Sequence, residues 1–130
     1  MKTRKELRSE LDNTDRRTRA LLDDLSEEQL DVPYHRGINP PIWELGHSAF
    51  FYEYFLLREL DQSAPRMPGY DEIWDSFEIQ HRNRWQKNVI PDHGTTQAYY
   101  QRVLDEVRER LEAESLQPRE HYLCHYCIAH

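Results

Sequence analysis

This chain of 130 residues has no long hydrophobic run, no excess of positive charge and only two cysteines. No stretch approaches the roughly 18 apolar residues that suggest a membrane-spanning helix, and no apolar segment follows the basic residues 1–5 as in a secretory signal. Two cysteines are too few for a disulfide scaffold. The net charge of −7 argues against a nucleic-acid-binding surface. These absences predict a cytoplasmic protein with neither a membrane nor a nucleic acid as its partner.

The composition favours one domain with a small core. Charged residues make up 32% of the chain and apolar residues 38%, so most helix faces must be solvated. Apolar residues recur at spacings of three and four from Leu7 to Leu25, which predicts a first amphipathic helix. A second helix is predicted over about residues 40–60, with Asn39 as its N-cap and proline at its first position.

The second half of the chain predicts two more helices. Thr95 or Thr96 is expected to cap the third, and Pro118 to open the fourth. Regular periodicity fails between residues 61 and 92, so a long irregular loop should join helices 2 and 3; loops of that length tend to be functional. The sequence therefore predicts an all-α, up-down four-helix bundle in which the second and fourth helices, the most apolar, are the buried partners.

The fourth helix reaches His130 without the glycine, basic last turn or proline with which helices usually end. We therefore expect it to be a truncated helix of a longer protein. The same helix contains Cys124 and Cys127; we expect one of them to lie inside the core and the other at its boundary, and we assign the pair no chemistry. Its His121 and His125 have a spacing that can hold a metal, but their predicted face points away from the core and favours a solvated surface.

His47 is embedded in an aromatic stripe of the second helix. A buried imidazole needs a hydrogen-bonding partner or a metal, and this helix alone leaves both open. Gly46 lowers helix propensity by ~1 kcal/mol relative to alanine, so we expect it to permit a close approach by another part of the molecule. At about 100° per residue, the stripe consists of Trp43, His47, Phe50, Phe51 and Tyr54.

Aromatic and charged residues interleave in the long loop over residues 70–85. The aromatic side chains need a surface, either the open end of the bundle or another domain. Arg82 and Arg84 could bind a substrate carboxylate, although surface arginines often bind nothing specific.

The second helix carries a recognisable motif. The segment PPIWELGH at residues 40–47, followed by FYEY at residues 51–54, resembles the opening of the DinB-like domain of the sulfoxide synthases of ergothioneine and ovothiol synthesis, and of the related selenoneine synthase. An Asp-Ser at residues 75–76, then His81 and an Arg-Trp at residues 84–85, resemble the selenoneine-type branch. The resemblance covers most of the chain from about residue 20.

The last helix adds to this resemblance. Residues 120–123 and 128–130 resemble the approach to the H-E-x-x-H element of these enzymes. The resemblance implies that His47 and His130 are the first two ligands of Fe(II), and that the third lies four residues beyond His130. Three neutral imidazoles would leave half of an octahedral shell open for substrates and O₂.

The implied function is the N-terminal iron-binding region of a non-haem Fe(II) oxygenase. Such enzymes form a C–S or C–Se bond between a small-molecule thiol or selenol and a trimethylated histidine betaine. In the ergothioneine branch, loop arginines near the positions of Arg82 and Arg84 bind the thiol substrate. In the family, a second domain like the formylglycine-generating enzyme supplies the catalytic tyrosine. Residues 1–130 would then be an incomplete DinB-like bundle that lacks this C-terminal domain, carries no catalytic residue of its own and is inactive alone.

Two other functions stay open on the sequence. A stand-alone DinB-like thiol transferase or hydrolase would use a similar histidine set with zinc or nickel. A metal-free helical interaction module would keep His47 and His130 as ordinary core residues.

Overall fold

The computed structural model describes residues 2–112 and 116–130, which contain helices and turns and no β-strand. The long helices form the predicted all-α, four-helix bundle, with a mainly irregular segment between the second and third of them. None of the described helices combines the length and apolarity needed to cross a membrane. The α-helices are α1 (Arg4–Asp23), α2 (Glu27–Asp31), α3 (Pro41–Tyr52), α4 (Arg58–Asp61), α5 (Asp71–Trp74), α6 (His93–Glu112) and α7 (Pro118–Ala129).

The second long helix of the bundle is α3 continued into α4. A π-helical turn, Glu53–Leu57, joins the two, so the helix runs over residues 41–61 where the sequence predicted about 40–60. A π-turn is rare and is frequent at functional sites. The helix ends at Gln62, which adopts a left-handed conformation with φ of +51°.

The helix starts differ from the prediction by a few residues. Asp92, and not Thr95 or Thr96, caps α6, because its Oδ1 accepts the backbone N–H of Thr95 at 2.7 Å. Helix α3 begins at Pro41, so Asn39 is too far from the first turn to cap it, and its side-chain amide donates to Glu44 instead. Pro118 opens α7 as predicted.

Helix α6 is the main packing partner of α3, whereas the predicted pairing of the second and fourth long helices is present as the smaller contact of α7 with the π-turn and α3. The reason is that one whole face of α6 is buried, with Val103 and Val107 fully inaccessible. Helix α7 packs against α1 and the π-turn. The buried face of α6 comprises Thr96, Tyr99, Tyr100, Val103, Leu104, Val107 and Leu111.

Both cysteines of α7 are buried, so the prediction that one lies at the boundary was wrong. Their spacing of three puts Cys124 and Cys127 on the same helix face, which meets the bundle. Burial raises the pKa of each thiol to about 12. Both are therefore neutral thiols near pH 7 and poor nucleophiles.

Candidate metal centre

The rings of His47 and His130 lie side by side at one end of the bundle. His47 is on α3 and His130 directly follows α7, and their ring centres are 5.3 Å apart with planes inclined at 66°. For metal–nitrogen distances of about 2.1 Å and angles of about 90–110°, two imidazoles on one metal ion place their ring centres roughly 4.5–5.5 Å apart. The structure therefore brings together the two residues that the sequence singled out, at a separation that suits a shared ion.

A backbone carbonyl fixes the orientation of His47. Its Nδ1 lies 2.7 Å from the carbonyl oxygen of Trp74, and since a carbonyl only accepts, Nδ1 carries the hydrogen. In the neutral ring the lone pair is then on Nε2. Trp43, one turn earlier, stacks on the imidazole with ring centres 4.8 Å apart and planes within 9°. Metal-binding histidines are commonly oriented by such a hydrogen bond from the second nitrogen.

The ring of His130 is held by stacking. Its centre is 3.6 Å from that of Phe51, with planes within 5°. Although His130 is exposed, desolvation by these neighbours, and secondarily the adjacent His47, lowers its pKa below the ordinary histidine value. A neutral imidazole is the form that binds a metal, so the lowered pKa of His130 suits a ligand role at neutral pH.

Gly46 lies under the indole of Trp74, which confirms the predicted close approach. A Cβ at this position would be 2.6 Å from Cε3 of that ring and closer still to two other ring atoms. Trp74 is 1% exposed. The residue before it also contacts α3, because the indole N–H of Trp43 donates to the carbonyl of Ile73 at 2.9 Å.

A buried ionic cluster supports this part of the fold and was missed by the sequence analysis. Glu53, in the π-turn, is 1% exposed and accepts hydrogen bonds from Tyr99 Oη at 2.6 Å, Arg58 Nε at 2.7 Å and the backbone N–H of Arg66 at 3.1 Å. Arg58 also donates to both carboxylate oxygens of Asp71, at 2.7 and 2.8 Å. Asp71 and Glu53 together raise the pKa of Arg58, and burial, followed by Glu53, raises that of Tyr99.

One signal for this cluster was present in the sequence. A glutamate between aromatic residues of an apolar helix, as in FYEYF, must be paired if it is buried. Its partners could not be predicted, because Arg58, Arg66 and Tyr99 come from three different segments.

The two arginines of the long loop occupy different places. Arg84 lies with its Cζ 4.2 Å from the centre of the Trp43 ring, and its terminal nitrogens donate to Asn39 Oδ1 at 2.8 Å and the carbonyl of Ser76 at 3.0 Å. Arg82 lies over Tyr34, with its Cζ 4.9 Å from the ring centre. Arg84 therefore shares an aromatic neighbour with His47, whereas Arg82 stacks on a separate part of the loop surface.

The described residues offer two ligands at this site and no more. Over residues 2–112 and 116–130, no group of three or more His, Cys, Asp or Glu side chains is arranged to hold a metal ion. The other histidine pair of α7 is not wholly solvated as predicted: His125 is exposed, but His121 is half-buried, and both line a cavity of about 220 Å³ beside Leu7.

Comparison with known families agrees with the fold. The DinB superfamily matches residues 10–122, a range that includes His47 and stops before His130. No curated protein matches the chain. The superfamily includes metal-binding members. Since the match covers most of the sequence, this chain belongs to the DinB superfamily.

Proposed function

We propose that this chain is the iron-binding helical region of a non-haem Fe(II) oxygenase that forms a C–S or C–Se bond on a trimethylated histidine. The observation that carries the proposal is the convergence of His47 and His130, with Nδ1 of His47 bound to a backbone carbonyl. The motif around His47 and the loop residues that resemble the selenoneine-type branch support this class among metal-binding DinB proteins.

Under this proposal His47 and His130 hold the metal through neutral imidazole nitrogens. The third imidazole is supplied from outside this sequence, four residues beyond His130, as the family resemblance implies. The bound iron would supply O₂ activation and a template on which the sulfur or selenium substrate and the histidine betaine meet. A two-ligand site binds iron weakly, so this chain alone is expected to be inactive.

The surrounding side chains orient the ligands and exclude water. Trp43 covers one face of the His47 ring and Phe51 one face of His130. Phe51 is in turn packed against Phe55 and Tyr126, with ring centres 4.5 and 5.4 Å away. This aromatic surface keeps water from one side of the two imidazoles.

The loop arginines have separate roles in the proposal. The terminal nitrogens of Arg84 already bind Asn39 and Ser76, so Arg84 chiefly fastens the loop beside Trp43. Arg82 is exposed and is the freer of the two to meet a substrate carboxylate.

The metal-binding step is tested by titrating the chain with Co(II), whose visible spectrum reports its ligands, and anaerobically with Fe(II). We expect His47→Gln and His130→Gln each to weaken binding at least about tenfold, because a lost ligand should cost no less than a lost outer-shell partner. The double variant His121→Gln with His125→Gln is the matched control and should bind as the unmodified chain does. Binding that survives both ligand substitutions, or that disappears in the control, contradicts the proposal.

The catalytic step and the metal's identity need the whole protein. The proposal predicts that the reading frame continues past His130 with Glu-x-x-His and a second domain, and a stop codon at that point would count against it. Superfamily membership also accommodates a stand-alone thiol transferase. Tight zinc without iron in the purified full-length protein would favour that alternative.

A further inference from the structure

The short helix α5 contacts two neighbouring side chains of α3 through successive backbone carbonyls. The carbonyl of Ile73 accepts from the indole of Trp43 and that of Trp74 accepts from the imidazole of His47. The two side chains are four residues apart and therefore lie on one face of their helix. Helix α5 thus supplies one fixed acceptor to each ring.

A helix of four residues cannot hold its own position. Nucleating a helical turn is unfavourable, so α5 depends on tertiary contacts. One is the Trp74 ring, which is packed against Gly46. The other is at the opposite end, where Asp71 receives two hydrogen bonds from Arg58. Arg58 is itself fixed, because it also binds the buried carboxylate of Glu53.

We propose that the Arg58–Asp71 ion pair is a positioning device for His47, holding the Asp71–Trp74 turn so that the Trp74 carbonyl keeps the hydrogen on Nδ1 and leaves Nε2 to the metal. This inference rests on the proposed metal-binding function for its purpose, but the orientation of His47 can be measured without any metal. Arg58 and Asp71 act through the turn and touch neither the metal nor a substrate.

The physical reason is that a histidine ring without a fixed acceptor exchanges between two tautomers and two ring orientations. The ring can then present either nitrogen to the site. Loss of such outer-shell partners weakens metal binding by about 10–100-fold at other protein sites. The bidentate geometry matters because it fixes the direction of the turn as well as its distance from α3.

Asp71→Asn is the decisive variant. The side chain of Asp71 is 43% exposed, so the change removes the charge while leaving Glu53, Tyr99 and the core around them intact. Asp61→Asn is the matched control. Asp61 also pairs with an arginine, Arg110 of α6, at 2.7 Å, but it is not one of the residues that hold α5. Circular dichroism and amide NMR spectra establish that each variant is folded.

The primary measurement is the ¹⁵N chemical shifts of the histidine side chains in the metal-free chain, which distinguish hydrogen on Nδ1 from hydrogen on Nε2. The His47 signals are assigned by their loss in His47→Gln. We expect a single Nδ1–H tautomer in the unmodified chain and in Asp61→Asn, and a mixture in Asp71→Asn. Co(II) affinity should fall about 10–100-fold in Asp71→Asn alone.

The outcomes separate this inference from the proposed function. An unchanged His47 tautomer in folded Asp71→Asn overturns the inference, whatever happens to Co(II) affinity. A shifted tautomer in a chain that binds no Co(II) even when unmodified supports the positioning and overturns the metal-binding proposal.

Discussion

Two polar clusters lie on the second long helix within two turns of each other, one around Glu53 and one around His47. In the first, both carboxylate oxygens accept hydrogen bonds and the side chain is 1% exposed. In the second, one nitrogen of His47 is bound by a carbonyl, and the centre of the His47 ring lies 5.3 Å from that of His130, an exposed residue. We call the Glu53 cluster closed, because its carboxylate is buried and paired, and the His47 cluster open, because it borders the exposed His130.

This difference separates a structural group from a candidate functional site. A buried carboxylate with every oxygen satisfied gains nothing from a further ligand, so the role of Glu53 is to join helices and loop. Two neighbouring imidazoles with nitrogen lone pairs to offer are suited to bind a cation. Composition could not make this distinction, because both clusters sit among aromatic residues of the same helix.

Removing the Glu53 side chain from the closed cluster should cause the largest loss in the free energy of unfolding. Glu53→Ala leaves Arg58 and the hydroxyl of Tyr99 without their buried partner, and breaking a buried ion pair from one side costs about 3–5 kcal/mol. We expect that loss in the free energy of unfolding, measured by urea denaturation at pH 7.

The matched control for this change is Glu59→Ala. Glu59 pairs with Arg119 at the surface, where ion pairs contribute about 0–1 kcal/mol. Equal losses in the two variants would show that the Glu53 cluster is no more structural than a surface pair.

An intermediate effect is expected at Gly46, which directly precedes His47 in the chain. Alanine favours helix by about 1 kcal/mol over glycine, but its Cβ would overlap the buried indole of Trp74. We expect Gly46→Ala to lower the free energy of unfolding by about 1–3 kcal/mol, as overpacking does. Gly94→Ala in α6 is the control, because its Cβ meets nothing closer than 3.5 Å, and it should not destabilise the chain. A neutral or stabilising Gly46→Ala would mean that the indole moves freely.

Local patterns were sufficient to predict the long helices and the close approach at Gly46. Apolar spacing, together with the prolines that open two of the helices, located the four long helices. The glycine beside His47 indicated a close approach that Trp74 now explains. The convergence of His47 with His130 was expected from the resemblance and is present in the structure. These features depend on residues near one another in the chain or on a specific motif.

The features that were missed depend on contacts between distant segments. Nothing in the irregular loop indicated that Trp74 would supply a carbonyl to His47, because backbone acceptors leave no mark in a sequence. The dominant contact of α3 with α6 does not follow from overall apolarity, because the buried face of α6 includes Thr96 and two tyrosines. Fold class was thus predictable, and the arrangement around the site was not.

The smallest change in the free energy of unfolding should come from a substitution at His130 in the open cluster. His130 is exposed, so we expect His130→Gln to change the free energy of unfolding of the metal-free chain by less than about 1 kcal/mol at pH 7.5. Because its pKa is lowered in the folded chain, the unfolded chain binds the proton more readily. The unmodified chain should therefore lose stability as the pH falls below about 6.5 and through the folded-state value, and the variant should lose less. Urea denaturation at pH 7.5 and 5 measures both. If His130→Gln lowers the free energy of unfolding by more than about 2 kcal/mol at pH 7.5, His130 is a core residue, as in a metal-free module. The two clusters would then both be structural.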